Sequence, residues 1–279
     1  MQGKFRRILL CVQLLALSAC GGGGASSVLV NPVIQSPRIG AISYWALNTA
    51  SYDQLPSGAL GVVNPSNGIF SGQTTTLVTD AASYAAIVSS ASSRGVNMLG
   101  YVPTGYFNHT CNISTQCQTL VRIEAQVQAY FQNMPGLGGI FFDEVSPAVW
   151  SCSGFAAEYQ QLRAIVRRYS AQATIAFNAA VPETCVVDAA SAGEIVVLFE
   201  SSFASYQSNA AAIATATAAA RVRGVASWLL VYGAADLNAA YAQADAAHAN
   251  WFYATDLSGG NLWNALPGYW VQELALLAY

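Results

Sequence analysis

Two adjacent carboxylates at the end of an apolar run are the residues best suited to chemistry. Residues 138–145 read Gly-Gly-Ile-Phe-Phe-Asp-Glu-Val, in a chain of which only 9% is charged. Adjacent residues of a strand point to opposite faces, so Asp143 can enter a cavity while Glu144 supports it or faces a loop. The pattern indicates the active end of a buried parallel strand in an enzyme that uses acids.

A third carboxylate, Glu200, ends another apolar run and could complete an acid pair with Asp143. Acid-pair glycosidases need one carboxylate as nucleophile or base and another as acid. On strands four and six of a barrel the two backbones would lie roughly 9–10 Å apart, because neighbouring strands are about 4.8 Å apart. Inward side chains could close this to about 5–5.5 Å, as in retaining enzymes, or keep the wider inverting separation. The alternatives without catalysis are a strand-end cap or an arginine ion pair for Asp143 and Glu144, and a helix N-cap contact for Glu200.

Apolar runs alternate with helical patterns along most of the chain. The predicted strands are 40–45, 60–64, 98–102, 139–143, 174–178, 195–200, 225–231 and 251–254. The predicted helices are 81–94, 117–134, 155–170, a weak one at 186–191, then 209–223, 235–247 and 271–277. Nearly continuous apolar strands are typical of strands buried on both faces. The alternation predicts a single-domain α/β fold, a (β/α)8 TIM barrel, with an open doubly wound sheet as second choice.

Amides and aromatic rings gather where these strands end, which in a barrel is the face that carries the chemistry. Rings stack on sugars, and amides bond hydroxyl groups, so this composition indicates a carbohydrate cleft. The predicted substrate-binding residues are Tyr44, Trp45, Asn64, Tyr101, Tyr106, Asn178, Trp228, Tyr232 and Tyr253.

The N-terminus is typical of an exported lipoprotein. A positive segment precedes a short apolar stretch that ends in Leu-Ser-Ala-Cys at residues 17–20, and a Gly/Ser-rich stretch follows. We expect a signal peptide over residues 1–19, a lipidated Cys20 with a flexible tether over residues 20–36, and the enzyme domain over residues 37–279. The protein would then be anchored in a bacterial cell envelope, in the outer membrane or periplasm of a Gram-negative cell, or exported.

The charge of the expected mature chain excludes several classes of protein. It keeps eight arginines, no lysine and all 14 acidic residues, a formal charge of about −6. The lack of lysine excludes Schiff-base and Walker-type phosphate chemistry, and the acidic balance argues against nucleic-acid binding. We expect no cofactor, no metal, a monomeric state and membrane contact only through the lipid.

Four cysteines remain in the expected mature domain, an even number in an exported protein. Three pairings are possible. We favour Cys111–Cys117, which closes a short local loop, and Cys152–Cys185, which joins neighbouring loops. A zinc site is the alternative, but the spacing is not that of common zinc motifs.

Several of these segments together resemble the spherulin-4-like family. Residues 61–68 (Gly-Val-Val-Asn-Pro-Ser-Asn-Gly) resemble its Asn-Pro-x-x-Gly segment, and residues 100–106 (Gly-Tyr-Val-Pro-Thr-Gly-Tyr) its Gly-Tyr-Val-x-Thr-x-Tyr segment. Residues 139–145 resemble its Gly-Ile-Phe-Phe-Asp-Glu signature, and the Phe-Asn and Phe-Glu pairs at 177–178 and 199–200 resemble its later strand ends. The matches occur in order over residues 40–254.

The resemblance implies a (β/α)8 glycoside hydrolase that cleaves α-1,4-linked galactosamine or N-acetylgalactosamine exopolysaccharide from within the chain. It implies Asp143 as nucleophile, Glu200 as acid/base and Glu144 as an assisting carboxylate. Asn64, Tyr101 and Asn178 match motif positions that line the cleft. Two other interpretations stay open: a non-catalytic polysaccharide-binding envelope lipoprotein on the same barrel, and an envelope protein with a structural role.

Overall fold

Eight parallel strands close into a barrel in sequence order, and the predicted fold class is confirmed. The computed structural model describes residues 36–107, 118–145 and 151–277. The strands are β1 (Arg38–Ala41), β2 (Leu60–Val63), β3 (Asn97–Pro103), β4 (Gly139–Asp143), β5 (Thr174–Asn178), β6 (Ile195–Ser202), β7 (Ala226–Tyr232) and β8 (Trp251–Thr255). Pairing of β1 with β8 closes the ring, with Arg38 opposite Trp251.

Helices follow the strands and cover the outside of the barrel. They are α1 (Thr49–Tyr52), α2 (Ala81–Ser93), α3 (Leu120–Asn133), α4 (Cys152–Tyr169), α5 (Thr184–Ala189), α6 (Phe203–Ser208), α7 (Ala210–Arg223), α8 (Leu237–Ala246) and α9 (Trp270–Leu276). The short helices α1 and α6 were not predicted. Helix α6 begins where the Ser202 side chain accepts a hydrogen bond from the backbone N–H of Ser205, an ordinary N-cap.

Strand β1 is shorter than the predicted 40–45 and ends at Ala41. The reason is Ser43, whose hydroxyl both donates to the carbonyl of Val62 (2.7 Å) and accepts from the N–H of Val62 (2.9 Å). A side chain therefore replaces the backbone ladder between β1 and β2. The hydroxyl of Tyr52 donates to the Ser43 carbonyl, which keeps this segment in place. The chain beyond Ala41 belongs to the loop above the barrel.

Strand β4 can lie against β5 because Gly139 has no side chain. A Cβ at this position would lie 2.0 Å from the carbonyl oxygen of Thr174, a backbone atom. The next residues alternate between the two sides of the barrel wall. Phe141 faces inward, edge-on to Trp228, whereas Phe142 packs outward on Phe177, with ring centroids 5.9 Å apart. The same alternation places Asp143 inward at the carboxyl end of the strand.

Strand β6 contains a bulge just before Glu200. Val197 pairs with Trp228, but Phe199, two residues later, pairs with Leu229, so one extra residue stands in β6. Such bulges commonly re-aim side chains next to active sites. Phe199 consequently packs outward against Tyr206 of α6, and Glu200 faces the barrel axis.

A buried ion pair braces the opposite end of β6. Glu194 is only 2% exposed and accepts hydrogen bonds from Arg163 of α4 at both carboxylate oxygens, at 2.5 and 2.7 Å. The N–H of Ser191 donates to the same carboxylate. A bidentate arginine with an additional backbone donor is the geometry that offsets the desolvation of a buried pair. It fixes the start of β6 relative to α4.

Among the described residues, no helix is long and apolar enough to cross a membrane. Cys20, the signal peptide, most of the tether and the Cys111–Cys117 pair lie outside the described residues, so these assignments stay predictions.

Cys152 and Cys185 lie side by side as free thiols, in hydrogen-bond contact between α4 and α5. Burial, followed by the contact with Cys152, raises the pKa of Cys185 to about 12. The predicted disulfide is therefore not formed in this structure, although its two partners are neighbours, and the pairing stays a prediction.

We expect Cys152 and Cys185 to form a disulfide when the protein is exported to an oxidising compartment. Closing a loop of this length restricts the unfolded chain and should stabilise the fold by about 3–4 kcal/mol. Peptide mapping without reduction should recover the Cys152–Cys185 cross-link, and reductant should lower the unfolding free energy. The C152S/C185S variant is the control, and reductant should not lower its unfolding free energy through this pair. Complete alkylation of both thiols in protein purified without reductant would contradict the pairing.

Candidate active site

The amide of Asn178 joins the two carboxylates that the sequence singled out. Its nitrogen Nδ2 donates to Asp143 Oδ1 at 2.7 Å and to Glu200 Oε2 at 2.5 Å. The two acceptor oxygens can be no farther apart than these distances combined, about 5.2 Å. Asn178 ends β5, the strand between β4 and β6, so the topology itself places the amide between the acids.

Asp143 receives hydrogen bonds from two different strands. Tyr101 of β3 donates its hydroxyl to Oδ2 at 2.7 Å, and Asn178 donates to Oδ1. Burial raises the pKa of Asp143, but the bonds from Tyr101, the backbone of Glu144 and Asn178 act in the opposite direction. Donors of this kind favour the charged form of a carboxylate. Asp143 is thus equipped to hold a negative charge in a desolvated position.

Glu200 has a different environment, which favours its protonated form. Burial, followed by the negative charge of Asp143, raises the pKa of Glu200 to about 7, against the lowering effect of hydrogen bonds from Asn178 and Trp263. Two neighbouring carboxylates with different proton affinities are the arrangement that assigns one acid and one base. Glu200 therefore fits the role of proton donor, and Asp143 fits the role of nucleophile or ionised base.

Glu144 attaches the end of β4 to the loop after β3. Its Oε2 accepts from the N–H of Gly105 at 3.0 Å, and its carbonyl accepts from the hydroxyl of Thr104 at 2.8 Å. Burial and then the charge of Asp143 raise the pKa of Glu144, whereas the Gly105 bond lowers it. The carboxylate also lines the pocket described below. The geometry agrees with a supporting position beside Asp143.

Left-handed backbone conformations concentrate at this end of the barrel. Among non-glycine residues with positive φ are Tyr106 (54°), Phe107 (54°), Glu144 (59°) and Ala180 (59°), which follow three consecutive strands. Such conformations are costly for residues with a side chain and are often found at functional sites. For Glu144 the conformation is held by the bonds to Thr104 and Gly105.

No described ion pair involves any of the three acids. The ion pairs in the described chain are Arg94–Asp53, Arg163–Glu194, Arg168–Glu124 and Arg223–Asp188. The alternative in which Asp143 and Glu144 serve an arginine is therefore not supported. Glu200 is not a helix N-cap either, because Ser202 has that role for α6.

A pocket of about 310 Å³ opens above the acids. Two tyrosines lie in its wall, Tyr106 from the loop after β3 and Tyr232 from the end of β7, and Tyr106 is 46% exposed. The described residues that line it are Tyr106, Asp143, Glu144, Val145, Asn178, Ala179, Ala180, Glu200 and Tyr232. Its size matches the lower range of small-molecule sites.

Three of the predicted substrate-binding residues are corrected by the structure, because they are buried in the core. Trp228 is fully buried inside the barrel, where its indole N–H donates to the carbonyl of Gly40 and its ring packs on Phe141. Trp45 is 2% exposed and packs on Tyr52, and Tyr253 is fully buried. These rings support the site from below or from the side.

Three other predicted residues have structural partners of their own. Tyr101 is 3% exposed and contacts Asp143, while Tyr44 is half-buried and stands edge-on to Tyr101 with ring centroids 5.5 Å apart. The side chain of Asn64 accepts from the N–H of Gly68 and shapes the loop after β2. None of the three belongs to the described pocket wall.

Trp263, which was not predicted as a site residue, contacts an acid directly. It lies in the loop between β8 and α9, and its indole Nε1 donates to Glu200 Oε1 at 3.0 Å. No strand end or helical period marks this loop position. The only available signal was an aromatic residue in a Gly- and Asn-rich segment after the last strand.

Comparison with known proteins places the chain in a family. The Spherulin4 model, described as spherulation-specific family 4, matches residues 29–277. A search of curated proteins finds no match.

Several solved glycoside hydrolases share the barrel. Sph3 from Aspergillus clavatus, solved in complex with GalNAc, superposes with a TM-score of 0.63 at 17% identity, over 87% of this chain and 98% of that one. Endoglucanase Cel5A from Thermotoga maritima gives a TM-score of 0.57 at 10% identity, over 88% and 97% of the two chains. At such identities the likeness concerns the fold. The family match spans almost the whole described structure, and the chain belongs to spherulation-specific family 4.

Proposed function

We propose that the protein is a glycoside hydrolase that cleaves internal bonds of α-1,4-linked galactosamine or N-acetylgalactosamine exopolysaccharide, with retention of configuration. The observation that carries the proposal is the single amide nitrogen that contacts both Asp143 and Glu200. It limits two carboxylate oxygens to a separation of about 5.2 Å or less, which supports the retaining class, whose carboxyl groups are about 5–5.5 Å apart.

The sugar class rests on the family and on one structural relative. Sph3, which has the same barrel, was solved with GalNAc bound. The pocket of this chain has three carboxylates, one amide and two tyrosines among its described lining residues. These groups suit a polar ring with hydroxyl and amine or amide substituents.

The first step joins the sugar to the enzyme. Asp143 attacks the anomeric carbon as the bond from that carbon to the glycosidic oxygen breaks, and Glu200 gives its proton to the departing oxygen. The Tyr101 and Asn178 donors hold Asp143 ionised and oriented before attack. The products are a glycosyl–Asp143 ester and a shortened polysaccharide that carries a new hydroxyl group.

The second step releases the sugar. Glu200, now ionised, removes a proton from water, and the resulting oxygen attacks the anomeric carbon and displaces Asp143 as a carboxylate. Both residues return to their starting protonation states. Two inversions at one carbon give net retention.

The non-catalytic polysaccharide-binding alternative has less support. A binding protein has no need to align two acids, and a separation well beyond about 9.5 Å would have favoured it. The two contacts of Asn178 favour hydrolysis instead.

We expect the D143N and E200Q variants to lose release of oligosaccharide while keeping the fold. D143N removes the nucleophile, and E200Q removes general acid catalysis, which typically contributes about 10²–10⁴-fold. The measurement is mass spectrometry of products from defined galactosamine and N-acetylgalactosamine oligomers. Circular dichroism melting is the control for folding. Hydrolysis at the wild-type rate by either variant would contradict the catalytic role proposed for the substituted residue.

We expect kcat/KM to fall as pH rises through about 7, because Glu200 must carry a proton to act as acid and its pKa is raised to about 7. At low pH the rate should fall again as Asp143 becomes protonated. The pH profile of kcat/KM on a soluble oligomer measures both limits. An alkaline limit near pH 4–5, the ordinary range of a glutamate, would contradict the role of Glu200.

We also propose that the enzyme works as a monomer anchored to the cell envelope through lipidated Cys20. The expected outcome is that the full chain enters the membrane fraction and takes up a clickable fatty acid in a bacterial host. The C20S variant should do neither, because it lacks the acceptor thiol. Labelling of C20S equal to that of the native chain would contradict the anchor.

A further inference from the structure

Glu200 is held at both of its carboxylate oxygens by uncharged donors. Asn178 donates to Oε2, and Trp263 donates to Oε1 at 3.0 Å. The Asn178 nitrogen also donates to Asp143, whereas the indole N–H of Trp263 donates to Glu200 alone among the described residues. Glu200 has several torsions, and a single contact would leave its carboxyl plane free to turn. Two donors on opposite oxygens fix the plane.

The direction of the Trp263 N–H is set by packing that does not involve Glu200. The indole is 6% exposed. Its ring centroid lies 5.7 Å from that of Tyr253 and 6.3 Å from that of Tyr232, so two rings hold it from different sides. The backbone N–H of Trp263 donates to the side chain of Asn261, which closes a local turn. These contacts orient the indole N–H independently of Glu200.

The loop that carries Trp263, residues 256–269, is itself tied to the barrel. Asp256 Oδ1 accepts from the N–H of Gly268 at 3.0 Å and thereby joins the two ends of the loop. The N–H of Gly233, just after β7, donates to the carbonyl of Leu257. The fully buried Glu273 of α9 accepts from the N–H of Ala254 at 2.7 Å and connects α9 to β8.

We propose that Trp263 is a positioning residue for the acid/base, and that its indole N–H holds the Glu200 carboxyl group in the orientation needed for proton transfer. This inference rests on the proposed function. Trp263 is too buried to stack on a sugar, so its contribution passes through Glu200.

Trp263 acts on Glu200 together with several other groups that face this carboxyl. A donor favours the ionised form, so loss of the indole N–H raises the pKa of Glu200. The charge that acts on Glu200 is that of Asp143 on β4. Three tyrosines also face the carboxyl: burial, and then nearby carboxylates that include Glu200, raise the pKa of Tyr101 on β3 and of Tyr44 and Tyr106 in loops above the barrel. None of them is altered by a substitution at Trp263.

The test is the pH profile of oligosaccharide hydrolysis by the W263F variant. We expect kcat to fall about tenfold while KM changes little, and the alkaline limit to move upward by about one unit, since a hydrogen bond to a charged group is lost. The matched control is W270F. Trp270 packs on the same Tyr253, but its indole nitrogen has no hydrogen-bond partner among the described residues, so this variant should keep the wild-type pH profile.

A second measurement needs no active variant. In the native protein, the indole ¹H–¹⁵N resonance that W263F removes should titrate with a midpoint near pH 7, and in E200Q it should stay constant between pH 5 and 9. These midpoints follow from the raised pKa of Glu200, about 7.

The outcomes separate this inference from the proposed function. A W263F enzyme with native kcat and alkaline limit, or a Trp263 resonance that does not titrate in the native protein, overturns the role of Trp263 alone. Native hydrolysis by E200Q overturns the proposed function together with it. A W270F profile shifted as far as that of W263F would assign the effect to general packing and would also overturn the inference.

Discussion

The structure depends on one constraint: two desolvated carboxylates must lie with their nearest oxygens no more than about 5.2 Å apart, and no described basic residue neutralises them. At that distance, two full charges in a protein environment repel each other by about 3 kcal/mol. No described arginine pairs with them. The repulsion is relieved by the proton that Glu200 binds, with a pKa raised to about 7 by burial and then by the charge of Asp143, and by the uncharged donors Asn178, Tyr101 and Trp263. The difference in proton affinity between Asp143 and Glu200 thus follows from the way in which the fold accommodates the two acids.

The barrel supplies this arrangement through its order of strands and its filled interior. β5 lies between β4 and β6, so an amide at its end reaches both neighbours. Beneath the acids, Trp228 and Phe141 occupy the centre of the barrel. A packed floor gives the side chains above it little freedom, and well-held groups are what general acid and nucleophilic catalysis require.

Much of this could be predicted from the sequence, and the failures have identifiable causes. The segment 139–143 was predicted to the residue, because its apolar run is continuous and a glycine and an acid bound it. The end of β1 was not predicted to the residue. The Ser43 hydroxyl replaces a backbone hydrogen bond between β1 and β2, and residue propensities do not reveal such a replacement. Trp228 and Tyr232 both lie on β7, yet one fills the core and the other lines the pocket. Whether a side chain of a barrel strand lies in the core or in the pocket depends on the register of the strand, which only the folded structure shows.

The bulge in β6 makes the direction of the Glu200 side chain depend on how this strand pairs with β7. In a regular strand, Val197 and Phe199 would share one face and Glu200 would point away from the barrel axis. The extra residue shifts the pairing so that Phe199 faces the helices and Glu200 faces the cavity. Deletion of Leu198 would restore regular pairing and keep Glu200 facing the cavity, whereas the same residues paired without the bulge would present the acid to the hydrophobic layer outside. The pairing of one strand with its neighbour is therefore as necessary to this site as the acid itself.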